Sequence, residues 1–157
     1  RTEFMRLAAV KWRNGRRKGS HGSVILADLD HFKSINDVYG HPAGDYALQT
    51  FAATCRGVVR ATDLVARYGG EEFILFLDGA PPDRAQQIAA EISDRLRATL
   101  TPEGMSLPTV SYGVAFARSG EGLEETIQAA DHALYEAKTA GRDRAVLATT
   151  TSRGRSR

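Results

Sequence analysis

Residues 64–77 read Leu-Val-Ala-Arg-Tyr-Gly-Gly-Glu-Glu-Phe-Ile-Leu-Phe-Leu. Two apolar runs flank a Gly-Gly-Glu-Glu corner, and because glycine tolerates positive φ the pattern predicts a β-hairpin with Glu71 and Glu72 at its tip. A hairpin needs a neighbour to bury its apolar face, and the nearest candidate lies upstream. Ser23-Val24-Ile25-Leu26-Ala27 is a short apolar run that stops at Asp28-Leu29-Asp30. It reads as a buried strand whose carboxyl end delivers acids to the rim of a sheet.

The rest of the chain supplies the layers around these strands. Phe4, Leu7, Ala8 and Trp12 recur at helical spacing, predicting an amphipathic helix over 2–13, followed by a basic, glycine-containing loop over 14–23. After a turn at Tyr39-Gly40-His41-Pro42, the positions Leu48, Phe51, Ala52, Cys55 and Val59 form a second helical stripe. Pro81-Pro82-Asp83 opens a third helix with Ala85, Ile88, Ala89, Ile92, Leu96 and Leu100 on one face. Val110, Tyr112, Val114 and Phe116 alternate as in a strand. Leu123, Ile127, Ala130, Leu134 and Ala137 mark a last helix that stops at Gly141, before a short strand over 145–148. The implied fold is an α/β sandwich, a mixed sheet of about five strands flanked by helices, with no internal repeat.

At 157 residues, 42% hydrophobic and 25% charged, the chain suits one globular domain, expected over 1–148. No apolar run approaches the roughly 18 residues of a membrane span, and no secretory leader pattern opens the sequence. A single cysteine, Cys55, cannot staple the fold, and no Cys/His cluster has zinc spacing, so a reducing, cytoplasmic setting is the expectation. The net charge of +2 is unevenly spread: residues 1–18 hold seven Lys/Arg against one acid, residues 142–157 five against one, and the body between is net −8. Basic ends attract nucleic acid or anionic lipid, but the body lacks the basic face and interleaved aromatics of a nucleic-acid binder. Residues 149–157, without apolar periodicity, are expected to form a disordered basic tail.

The acidic body holds the chemistry. Hard divalent cations take oxygen ligands, commonly one or two carboxylates plus substrate phosphates, and acids from two strand ends can converge on such an ion. The bare Gly69-Gly70 turn also lets backbone approach a phosphate. Taken singly, each acid pair reads as a solvated hairpin tip or a capping aspartate rather than as a catalytic group.

The combination is more specific. Residues 28–37 (DLDHFKSIND), 39–45 (YGHPAGD), 67–73 (RYGGEEF), 110–115 (VSYGVA) and 130–142 (ADHALYEAKTAGR) occur in an order that resembles the GGDEF family of diguanylate cyclases, over about residues 1–146. The resemblance implies a fold similar to the nucleotidyl-cyclase and polymerase palm, and condensation of two GTP into cyclic di-GMP with release of two pyrophosphates. It implies Mg²⁺, with Mn²⁺ as a substitute, held by Asp28, the Leu29 carbonyl and Glu71. Glu72 would support a second metal or take the 3′-hydroxyl proton, and Lys33 would offset phosphate charge. Guanine recognition would fall to Asn36 and Asp45, with His41 fixing their loop. A buried Asp45 would be left unpaired against adenine, which lacks an N1–H; alternatively Asn36 is a turn residue and Asp45 a helix N-cap. Lys138 and Arg142 would grip the triphosphate together with the backbone N–H groups of His31 and Phe32, and Asp143 stands where the family has Asn.

Arg60 and Asp63 form an RxxD at the spacing of the family's inhibitory product site; by their residue types alone they are equally a surface ion pair. The family's usual DxLTGLxNR opening is represented only from about its final Arg, so an upstream sensor domain, possible membrane anchoring through it, and a homodimer with facing sites are expected. Activity is expected to fall at low protein concentration. A non-catalytic module sensing GTP or cyclic di-GMP is the alternative.

Overall fold

The computed structural model describes residues 1–18, 22–102, 104–117 and 120–149. Strand β1 (Gly22–Leu29) is the centre of the molecule, buried along its whole length. β3 (Glu72–Asp78) pairs antiparallel on one side and β4 (Val110–Phe116) antiparallel on the other. β2 (Leu64–Arg67) completes the expected hairpin against β3, and β5 (Ala145–Leu147) lies parallel to β4, giving the five-stranded order β2-β3-β1-β4-β5.

Side-chain alternation divides this sheet into two apolar faces. Ile25, Ala27 and Leu29 of β1, with Phe73, Leu75 and Leu77 of β3, point to a layer formed by α2 (Phe32–Tyr39), α3 (His41–Val58) and α4 (Pro82–Ala98). Val24 and Leu26, with Ile74 and Phe76, point to the opposite layer of α1 (Thr2–Lys18) and α5 (Leu123–Thr139). Each fully buried branched or aromatic side chain contributes about 1.5–3 kcal/mol by leaving water, so the double-sided burial of β1 and β3 anchors the sheet. The mixed five-stranded sandwich read from the sequence is the observed architecture.

Several boundaries differ. The first helix runs on to Lys18 rather than ending at Arg13, because residues 14–18 continue it where a loop was expected; residues 19–21 of that loop lie outside the described residues. Residues 32–39 form a helix that the sequence reading left unassigned, with only Ile35 fully buried. Helix α4 ends at Ala98, leaving Leu100 92% exposed rather than on its apolar face. α3 begins at His41 with Gly40 as its N-cap, so Asp45 sits in the second turn and is not a cap. The expected tail beyond residue 149 lies outside the described residues.

Candidate active site at the sheet rim

The carboxyl end of β1 brings its acids against the hairpin corner. Asp28 is paired in register with Glu72 of β3 and with Ser111 of β4, and the Leu29 N–H donates to the Glu71 carbonyl at 3.2 Å. The even-numbered positions of β1 face α5, so the Asp28 side chain turns toward that helix. There Lys138 Nζ lies 2.6 Å from Asp28 Oδ2, and the pair is mostly sheltered, with the Asp28 side chain 6% exposed and that of Lys138 31%.

The three acids crowd one another. Burial pushes the Glu71 carboxyl above its ordinary value, the Asp28 charge pushes it further, and Lys138 opposes both. Glu72 is raised by burial first, then by the Asp28 charge, with a hydrogen bond to Asp28 and the charge of Asp131 adding to it while Lys138 again opposes. Like charges near one another with a single cation beside them form an arrangement that a further cation relieves.

The corner is held rigid by backbone hydrogen bonds from Tyr68 and Gly69 N–H to the Glu72 carbonyl, at 2.7 and 3.2 Å. Arg67 Nε donates to the carbonyls of Gly69 and Gly70 at 3.1 and 3.0 Å. Sequence reasoning missed Arg67 as part of the corner and Asp131 as a neighbour of Glu72. The first signal was an Arg two residues before a Gly-Gly turn; the second was the seven-residue spacing from Asp131 to Lys138, two helical turns on one face.

Asp30 differs from Asp28. Although the sequence groups them as one pair at the rim, Asp30 is 4% exposed and its carboxylate is filled by three donors: Ser111 Oγ at 2.7 Å, Thr109 Oγ1 at 2.7 Å and the Asp143 N–H at 3.1 Å. It is a structural acceptor, whereas Asp28 faces the two glutamates.

Beyond the chain reversal at His31, which has φ 54°, α2 starts at Phe32, so the Phe32 N–H lies in the first turn, whose amides have no intrahelical acceptor and attract anions. Lys33 is 88% exposed by side chain and pairs with Asp37 at 3.2 Å, a solvated surface contact. Asn36 turns inward: its Oδ1 is buried with no hydrogen-bond partner. A Cβ on Gly44 would lie 1.9 Å from that oxygen, so the glycine makes room for it. His41 is exposed at the start of α3, and Asp45, one residue beyond Gly44, is exposed rather than buried. The unpaired-carboxylate argument against adenine therefore does not hold for Asp45 as the structure places it. Arg142 follows α5, exposed, at φ 64°.

Arg60 and Asp63 lie apart from these residues, beyond the end of α3. Asp63 is buried, with 1% side-chain exposure, and accepts from the Arg60 guanidinium at 3.0 Å, the Arg60 N–H at 2.9 Å and the Asp78 N–H at 2.9 Å. Arg60 also donates to the Asp78 carbonyl and keeps 59% of its side chain exposed. The ion pair is therefore present, with its cation at the surface and its acid buried and spent on the loop.

Among the described residues no three His, Cys, Asp or Glu side chains form a self-sufficient cation cage. The rim instead offers two carboxylates and a strand-end carbonyl, the donor set suited to a hard cation that completes its shell with phosphate oxygens and water. Lys138 against Asp28 shows that this carboxylate accepts a cation in close contact. No helix among the described residues is long and apolar enough to cross a membrane.

Comparison with known proteins places this arrangement. The family described as "Diguanylate cyclase, GGDEF domain" matches residues 1–144. Over 126 residues the chain is 43% identical to diguanylate cyclase DgcM of Escherichia coli K12, covering 80% of this chain and 30% of that protein. It is 34% identical over 147 residues to the cyclic di-GMP phosphodiesterase NbdA of Pseudomonas aeruginosa, covering 92% of this chain and 19% of that protein. The chain thus spans less than a third of the length of either relative. Among solved structures, an active GGEEF domain of a diguanylate cyclase from Vibrio cholerae superposes with a TM-score of 0.91 at 28% identity, covering 96% of this chain and 97% of that one.

Proposed function

Because the chain belongs to the GGDEF family of diguanylate cyclase domains, we propose that it condenses two GTP into cyclic di-GMP, releasing two pyrophosphates. The observation that carries this reading is the junction of Asp28 and Leu29 with Glu71 and Glu72 across two paired strand ends.

In this reading Asp28, the Leu29 carbonyl and Glu71 hold Mg²⁺ or Mn²⁺. When bound, the ion neutralises phosphate charge and polarises the attacked α-phosphate. The remaining work belongs to the chain. Asn36 Oδ1, buried and unpartnered, accepts from the guanine amino group, and Asp45 beside it accepts from N1–H and N2–H. Lys138 carries positive charge to the place where the triphosphate meets the acids, and Arg142 grips the distal phosphates. The first amides of α2, with the His31 N–H, complete the cradle. Glu72, whose carboxyl is raised by burial and by Asp28, is the acceptor for the 3′-hydroxyl proton. Lys33, exposed and tied to Asp37, reaches the phosphates only by leaving that surface pair.

Each domain holds one GTP, and a cyclic product needs two reciprocal attacks, so two copies face one another. Incubation with GTP and Mg²⁺, followed by chromatographic separation, is expected to give cyclic di-GMP and pyrophosphate in a one-to-two ratio, with specific activity rising with protein concentration. GTP that binds but stays intact would instead establish the second reading, a nucleotide-sensing module, which the 34% identity to a protein named as a phosphodiesterase brings forward.

Product inhibition is assigned to Arg60, whose exposed guanidinium can stack on guanine and pair with its O6/N7 edge, while the buried Asp63 orients it. Progress curves of the parent protein are expected to flatten as cyclic di-GMP accumulates, and those of Arg60→Ala to stay linear; equal inhibition of both contradicts the assignment.

A further inference from the structure

Residues 142–144 are fastened one by one to three different elements. The Arg142 N–H donates to the Ala137 carbonyl at the end of α5 at 2.9 Å, and the Arg144 carbonyl accepts from Tyr112 N–H of β4 at 2.9 Å. Between them, the Asp143 N–H donates at 3.1 Å to the carboxylate of Asp30, just beyond β1. Arg142 and Asp143 have φ of 64° and 50°, two successive non-glycine residues in the left-handed region. Such a conformation persists only where the surroundings over-determine it.

We infer that Asp30 is a positioning residue for the triphosphate grip: it holds the Asp143 amide, and through it the left-handed turn that aims Arg142, and it does so as a hydrogen-bond acceptor rather than as a metal ligand. This rests on the proposed role of Arg142. Both Asp30 oxygens are already engaged inside the protein, Oδ1 by Ser111, Oδ2 by Thr109 and the Asp143 amide, and the residue is 4% exposed. The same carboxylate therefore ties β1, the entry to β4 and the turn after α5 together, directly behind the rim. Asp143, in place of the family's Asn, suits the left-handed region, and its side chain lies 3.9 Å from Arg97 of α4, a fourth attachment of the same turn.

The chemistry separates an acceptor from a metal ligand. An Asn at position 30 can keep its oxygen toward Thr109 and the Asp143 amide while its NH₂ donates to Ser111 Oγ, since a hydroxyl serves in either sense. An amide replaces the hydrogen bonds but not the charge.

The test measures equilibrium binding of GMP and of the α,β-methylene analogue of GTP, which cannot release pyrophosphate. Asp30→Ala is expected to weaken the triphosphate analogue about tenfold, the loss of one charge-assisted contact, with GMP unchanged. Asp30→Asn is expected to retain both affinities within about twofold. Arg142→Ala is expected to reproduce the Asp30→Ala pattern. In the unmutated chain the Asp143 amide is expected to exchange slowly with solvent although its residue is exposed, a readout independent of whether Asp30→Ala folds. Equal weakening of GMP and the analogue in Asp30→Ala, loss of triphosphate binding in Asp30→Asn, or fast exchange at Asp143 each overturns the inference. If Arg142→Ala weakens the analogue and Asp30→Ala does not, the inference fails alone; if Arg142→Ala has no effect, the reading of Arg142 fails and takes the inference with it.

Discussion

Glu71→Gln is expected to reduce turnover of GTP by roughly 10²–10³-fold or more while leaving the protein folded, because the amide keeps the shape of the side chain but removes a charge from the set proposed to hold the cation. The stability of this variant gives a second, opposite readout. Glu71 is pushed above its ordinary value by burial and by Asp28, so the fold favours its protonated form. A carboxyl raised in this way contributes stability that is fully present below its unfolded value and is lost as pH rises through the folded one. At neutral pH the charged glutamate therefore opposes folding, and a neutral amide relieves it. Without divalent cation, Tm of Glu71→Gln is expected to exceed that of the parent by roughly 1–3 °C at pH 7, the partial exposure of the site keeping the effect small. The difference should vanish as pH falls below the ordinary glutamate range. A variant that melts lower than the parent at pH 7 contradicts the crowding of acids at the rim.

Gly113→Ala is expected to cost about 3 kcal/mol, and so to lower Tm by about 10 °C. Gly113 lies on the face of β4 that meets α5, and a Cβ there would stand 2.0 Å from the Ala130 carbonyl oxygen and 2.4 Å from the Leu134 nitrogen. Both are backbone atoms of a helix, which cannot turn aside as a side chain can. The whole of α5 must back away from the sheet, and with it Lys138 from Asp28. Activity should therefore fall with stability. Gly70→Ala is the control: a Cβ there meets nothing within 4 Å, and stability is expected to change by less than about 0.5 kcal/mol.

The parts of this architecture that a reader of the sequence can find are those whose physics is local. The hairpin over Leu64–Arg67 and Glu72–Asp78 declares itself because strand alternation and the Gly-Gly corner lie within 15 residues. α4 and α5 show continuous apolar stripes because each packs along four or more turns. α2 shows none: eight residues make barely two turns, only Ile35 is fully buried, and Ser34, Asn36 and Asp37 are weak helix formers whose side chains compete for backbone. It exists through its packing against α3, which no local pattern reports.

The site divides in the same way. Asp28, Glu71 and Glu72 are marked by their position at strand ends, and the structure does bring them together. The difference between Asp28 and Asp30 was not legible, because what fills Asp30 comes from Thr109, Ser111 and Asp143, each about 80 residues or more away. Burial of Asp63 and exposure of Asp45 were hidden for a related reason. Both depend on how α3 meets its neighbours, and composition does not record that.

The account turns on one cation shared by the end of β1 and the hairpin corner beside a nucleotide. Paramagnetic broadening by Mn²⁺ in the presence of the α,β-methylene analogue of GTP tests it most directly. The backbone resonances of Asp28, Leu29, Glu71 and Glu72 are expected to broaden together at the same metal concentration, and to be spared together in Asp28→Asn. Broadening of one strand end without the other, or of neither, contradicts it.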